Sequence, residues 1–143
     1  MTNPFRSGDI KIHRYLIRLE DVADFGPNAL VHTVLRTFAL GRELKWAARL
    51  FVLEMKSADD EGIGTELFIQ HRAPAFMGET LTATATFEAL DGANLRCAVE
   101  AHVGARLVAT GHTGQRIVAR ARLAARFAAL QAPAASETPE PNP

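Results

Sequence analysis

Residues 79–103 read ETLTATATFEALDGANLRCAVEAHV. Leu81, Ala83, Ala85 and Phe87 alternate with Thr80, Thr82, Thr84, Thr86 and Glu88. A period of two puts one set on each face of a pleated strand. Asp91-Gly92 follows, a pair that tolerates the positive φ of a tight hairpin turn. Leu95, Cys97, Val99, Ala101 and Val103 then alternate against Arg96, Ala98, Glu100 and His102. The spacing predicts two antiparallel strands, each with one apolar face. Such a face must be covered by another layer.

The candidate cover lies upstream. No proline occurs from Ala29 to Met55, and Val34, Leu35, Phe38, Ala39, Leu44, Ala47, Ala48, Phe51, Val52 and Met55 recur at three and four. That pattern predicts one long, largely buried helix over Ala29 to Met55. Ser57 to Gly62 reads as its stop, a charge cluster closed by glycine. Asp9 to Leu19 reads as a strand. Its apolar parity slips between Ile12 and Tyr15, so a bulge is expected near His13-Arg14. Asp21 to Asn28 reads as a loop. Thr65 to Arg72 and Arg106 to Val118 read as further strands, and Ala119 to Leu130 as a short helix. Ala132 to Pro143 carries four prolines and no bulky apolar residue, so it reads as a disordered tail. The expectation is an α+β domain over residues 1–131 with a tail over 132–143. In it, a long central helix is wrapped by a five-stranded, mostly antiparallel sheet.

Composition narrows the function. The chain has 143 residues, 48% hydrophobic, with 16 Lys+Arg against 16 Asp+Glu. A balanced charge argues against a general nucleic-acid or anionic-membrane binder. No apolar run reaches the roughly 18–20 residues of a membrane helix, and Met1 to Arg6 lacks a signal-peptide core. A single cysteine, Cys97, excludes an internal disulfide. The five histidines lack metal-ligand spacing, so no metal is expected. A small cytoplasmic domain is the reading. A core this modest leaves little room for a coenzyme-sized pocket unless two copies build it.

Glu61-Gly62-Ile63-Gly64-Thr65, followed by His71 and Gly78, resembles the fluoroacetyl-CoA thioesterase-like branch of hotdog-fold proteins. That family carries Gly-(Ser/Thr) at the start of the second strand and a histidine six residues after the Ser/Thr, which are Gly64-Thr65 and His71 here. A family threonine in the central helix falls on Thr37 when Trp46 is aligned with the family's aromatic or aliphatic position. Gly111-His112-Thr113-Gly114-Gln115 resembles the last strand. The resemblance spans roughly Thr37 to Phe127. It implies the hotdog fold, hydrolysis of a small acyl-CoA thioester, coenzyme A only as part of the substrate, and a homodimer with its sites at the interface.

One position departs from the pattern. The family glutamate is Lys45 here, and a lysine cannot serve as a carboxylate base. Glu43 is the candidate substitute, although helix geometry sets it about 120° from Thr37, away from the face the family uses. By the resemblance, Thr37 positions the attacking oxygen, His71 relays its proton and Gly64 polarises the thioester carbonyl. The plainer readings stand beside these: a hydroxyl bonded back to its own helix, a strand-end histidine in water and a turn glycine. Thr65, Lys45, Gly41 and Arg116 are candidate substrate contacts. For Gly41 close packing competes, and for Arg116 a solvated charged face competes. Lys45 is open to three readings: exposed beside the groove, in contact with an acidic group, or a mark of lost chemistry. The alternative to a thioesterase is therefore a non-catalytic protein that binds an acyl-CoA or a related small molecule.

Overall fold

The computed structural model describes residues 1–22 and 34–133. Strand β1 (Ile10–Leu16) leads into a single helical turn, α1 (Leu19–Val22). The long helix α2 (Thr37–Met55) follows, then β2 (Asp60–His71), β3 (Thr80–Asp91), β4 (Asn94–Val103), β5 (Arg106–Ala119) and helix α3 (Arg120–Gln131). The strands form one sheet in the order β1-β3-β4-β5-β2, and every neighbouring pair is antiparallel. This is the expected α+β arrangement of a helix wrapped by a five-stranded sheet. The tail from residue 134 onward lies outside the described residues, as does most of the segment read as a loop up to Asn28.

The hairpin of β3 and β4 follows its sequence pattern. Leu81, Ala83, Ala85 and Phe87 are buried, as are Leu95, Cys97, Val99 and Ala101. Gly92 holds a φ of 60° in the turn, a conformation that costs glycine little. The helix covers this face with Leu40, Leu44, Ala47, Ala48, Phe51, Val52 and Met55, all at 1% exposure or less. Phe51 meets Phe5 edge-on at 4.8 Å and Phe87 at 5.6 Å between ring centroids, a T-shaped geometry that suits the ring quadrupoles. Cys97 is buried and free, and burial, aided by the nearby Glu88 charge, pushes its thiol up to about 12, so it packs as an apolar group.

Four sequence expectations are corrected. First, helix α2 begins at Thr37 and not at Ala29, at least among the described residues: Arg36 is extended, Val34 forms a bridge to Phe76, and Leu35 N–H donates to the Ala75 carbonyl at 2.7 Å. The apolar residues there are held by a strand-like contact, which periodicity does not reveal. Second, β1 has no bulge, since its register with β3 runs unbroken from Ile10↔Thr86 to Leu16↔Thr80. Lys11, His13 and Tyr15 are the residues that face the helix, where Lys11 meets Glu54 at 2.7 Å, while Ile10, Ile12, Arg14 and Leu16 are exposed. Third, β2 starts at Asp60 and not at Thr65, with Asp60 to Gly64 paired with Ala119 to Gln115. Fourth, Leu19–Val22 turns helically where the loop was expected to start.

Sheet and helix approach closely along β2. A methyl group on Gly62 would lie 2.6 Å from Val52 Cγ1, so only glycine lets the end of α2 sit on this strand.

Candidate active site

Alternation decides which residues can share a site. In β5, Thr113, Gln115 and Ile117 point toward the helix and are buried, so Arg116 and Val118 point to the other face. Gly64 is paired with Gln115, and Ile63 with Arg116. Beyond a bulge at Thr65, Leu67, Ile69 and His71 fall opposite Thr113, Gly111 and Ala109 and return to the inner face.

Between this inner face and one flank of α2 lies a groove of about 680 Å³. The helix contributes Thr37, Phe38, Gly41, Arg42, Lys45, Trp46 and Arg49, β2 contributes Gly64, Leu67 and Ile69, and β5 contributes Gln115. The helix residues lie three and four apart, one stripe of an α-helix. At one end, a hydrogen bond joins Thr37 Oγ1 and His71 Nδ1 at 3.1 Å. These residues are 34 apart in the chain, and only the packing of α2 against β2 brings them together. Both are exposed; Thr37 lines the groove and His71 stands beside it, just outside the wall.

The other end is cationic. Lys45 Nζ lies 3.1 Å from where a Cβ on Gly64 would be. Thr37 and Lys45 are eight residues apart, about 12 Å along the helix axis. Gly64 and His71 are seven apart on β2, roughly 20 Å at strand rise. Within one chain, Gly64 therefore cannot polarise a carbonyl attacked at Thr37 and His71.

The remaining candidates separate. Glu43 is 5% exposed and lies outside the groove wall, with Oε1 3.4 Å from Arg42 Nε and Oε2 3.5 Å from His13 Nε2. The structure does not bring it to Thr37, because it faces β1 from the other flank of α2. Thr65 sits at the bulge with its hydroxyl over Gly114 and does not line the groove. Gly41 does line it, and a methyl there would press Ile69 Cδ1 at 3.0 Å and Leu67 Cδ2 at 3.2 Å, so the close neighbour is a strand and not a second helix. Arg116 is on the opposite face of the sheet. There it lines a smaller hollow of about 310 Å³ with Ile63, Val118 and the α3 residues Arg122, Leu123 and Arg126.

Two features escaped the sequence reading. The first is an ion pair with a buried acid, which ties helix α2 to the α1 turn. Asp21, 1% exposed, accepts hydrogen bonds from Arg42 Nη2, Tyr15 Oη and the Arg18 N–H, each at 2.8 Å. Burial disfavours the Asp21 carboxylate, but these donors outweigh it and hold its pKa below the ordinary 3.8. A carboxyl depressed in this way stabilises the fold above its unfolded pKa and loses that contribution as pH falls through the lower folded value. The second is Gln115, 6% exposed, which lines the groove and whose Nε2 is buried without a hydrogen-bond partner. Its position in the inward-facing series of β5 was the available signal.

Among the described residues, no cluster of three metal-ligating side chains occurs, and no helix is long and apolar enough to cross a membrane.

Comparison with known proteins agrees with this geometry. No curated protein sequence matches the chain. A solved Thermus thermophilus protein, TTHA0967, described as a hypothetical protein and thioesterase superfamily member, is 26% identical; the alignment covers 91% of this chain and 96% of that one, with a TM-score of 0.85. A point mutant of the fluoroacetyl-CoA-specific thioesterase FlK is 20% identical over 91% of this chain and 100% of its own, with a TM-score of 0.81. A hot-dog-like protein from Thermanaerovibrio acidaminovorans is 18% identical over 91% and 96%, with a TM-score of 0.82. The FlK mutant has also been solved with fluoroacetate and CoA. A sequence model of the fluoroacetyl-CoA-specific thioesterase family, FlK, matches residues 17–121. That match supports acyl-CoA thioesterase activity in general terms. The fold is the hotdog, and the chain belongs to the FlK family of thioesterases.

Proposed function

We propose that this protein hydrolyses a small acyl-CoA thioester in the groove between α2 and β2. The observation that carries the reading is the Thr37–His71 hydrogen bond at the groove mouth. In this mechanism Thr37 holds the attacking water and His71 accepts its proton. The oxygen adds to the thioester carbonyl, the C–S bond breaks, and the proton held by His71 passes to the departing coenzyme A thiolate. Coenzyme A enters as part of the substrate, and the reaction needs no other cofactor. The setting is cytoplasmic, as the sequence suggests.

The site is completed by a second copy. Strand β2 is an edge of the sheet, and among the described residues no strand pairs with its outer side, which is a ready template for another strand. A copy laid antiparallel on it, with the two-fold axis near Leu67 and Phe68, sets Gly64 of one protomer across from His71 of its partner. An isologous interface does this twice. The Gly64 N–H then supplies, across the interface, the carbonyl polarisation that a single chain cannot. Light scattering at micromolar concentration is expected to read about twice the 15.5 kDa chain mass; a monomer would remove this part of the proposal.

Hydrolysis of a panel of short-chain and aryl acyl-CoAs by the pure dimer, followed by thiol release, tests the activity. Turnover of at least one member is expected. A dimer that binds acyl-CoA and turns over none of the panel would favour the non-catalytic reading. Lys45, standing in the groove where the family glutamate is expected, is the observation behind that second reading.

A further inference from the structure

The groove holds three cations, and two of them are neutralised. Arg42 is paired with Asp21 at 2.8 Å, and Arg49 with Glu61 at 3.2 Å. Lys45 has no carboxylate within ion-pair distance among the described residues. Its ammonium stands at Gly64, whose strand partner is Gln115. The Gln115 amide is more than nine-tenths buried, lines the same groove and leaves its Nε2 unpartnered. An ammonium without a carboxylate partner therefore stands at one end of a pocket otherwise walled by Leu67, Ile69 and Trp46, with the Gln115 side chain lining the same pocket.

Ligand binding sharpens the consequence. A neutral acyl chain filling this end would strip water from the exposed ammonium and return no acceptor. Buried donors left unpaired are costly, and a charged one more so. An acyl group ending in a carboxylate gives the ammonium its acceptor and keeps its methylenes on the apolar wall. A transient oxyanion at the carbonyl would meet Lys45 only during turnover and would leave it unpaired in the bound state. A phosphate is better matched by the planar fork of arginine than by one ammonium in an apolar pocket.

We infer that the Lys45–Gln115 end of the groove binds a carboxylate on the acyl group, so that the preferred ligands are thioesters of dicarboxylic acids. This rests on the groove being the acyl-CoA site proposed above and names the substrate class for it.

The test uses non-hydrolysable thioethers of coenzyme A, so it does not depend on catalysis. Isothermal titration of the full-length protein compares a carboxypropyl thioether, its isosteric carbamoylpropyl counterpart and free coenzyme A. Wild type is expected to bind the carboxylate about tenfold or more tightly than the amide, the range for a hydrogen-bonded charge. Lys45→Met should abolish that preference and Lys45→Arg should retain part of it. Equal affinities in wild type would overturn the inference, including the case where Lys45→Met then slows turnover alone, because Lys45 would serve only the oxyanion. A preference that survives Lys45→Met would also overturn it. So would an equal loss of affinity for free coenzyme A, which would assign Lys45 to the phosphates. A carboxylate preference in a protein that cleaves no thioester supports this inference while removing the hydrolase reading. Lys45 is exposed, so its variants should fold; if Lys45→Met does not, the wild-type comparison and Lys45→Gln decide.

Discussion

His71→Ala is expected to lower kcat/KM for the best acyl-CoA substrate by about a hundredfold to ten-thousandfold. That is the usual contribution of a positioned general base. His71 lies exposed at the end of β2, and its side chain is bonded to Thr37. Removing the ring should therefore leave the core untouched, and an unchanged circular-dichroism spectrum with lost activity separates chemistry from folding. Thr37→Val should cause a loss of similar direction, whereas Thr37→Ser keeps the hydroxyl and should retain most of the rate. Residues that act as a unit are not additive, so the double variant should be little worse than the poorer single one. Activity of His71→Ala within threefold of wild type would end the assignment of the Thr37–His71 pair.

The largest effect on stability is expected at Phe51. Its ring is fully buried between Phe5 and Phe87, where the helix meets the sheet. Truncation removes the transfer energy of the ring and leaves a cavity that close-packed neighbours refill only in part. Phe51→Ala should cost about 3–5 kcal/mol. Urea unfolding at fixed protein concentration measures it as a lower midpoint with an unchanged slope. A loss below about 1 kcal/mol would show that α2 is not seated on the sheet at this point.

The hairpin of β3 and β4 was legible because its information is local. A period of two across Leu81 to Phe87 and again across Leu95 to Ala101 states which face is buried, and Asp91-Gly92 states where the chain turns. The body of α2 was legible for the same reason, with a period near 3.6. Its start was not, since Val34 and Leu35 are apolar for contacts to Phe76 and Ala75, about forty residues away in the chain. In β1 the aliphatic residues misled. Lys11, His13 and Tyr15 face the helix because α2 offers Glu54, Glu43 and Arg42 there, and Ile10 and Ile12 are turned outward.

The candidate site divides in the same way. That Gln115 and Arg116 must serve opposite faces of one strand follows from alternation alone. The likeness of spacing across Thr37, Gly64 and His71 pointed to a family, and the family match is in keeping with it. Distances were beyond the sequence. It did not show that Gly64 stands beside Lys45 and far from His71 of its own chain, or that Glu43 is turned to His13 and Arg42. Local patterning determined the elements and their buried faces, because a residue's preference for a period or a turn is set by its immediate neighbours. Which faces met, and which cation was left unpaired in the groove, depended on partners tens of residues apart, and only the packed helix and sheet bring those partners within bonding distance.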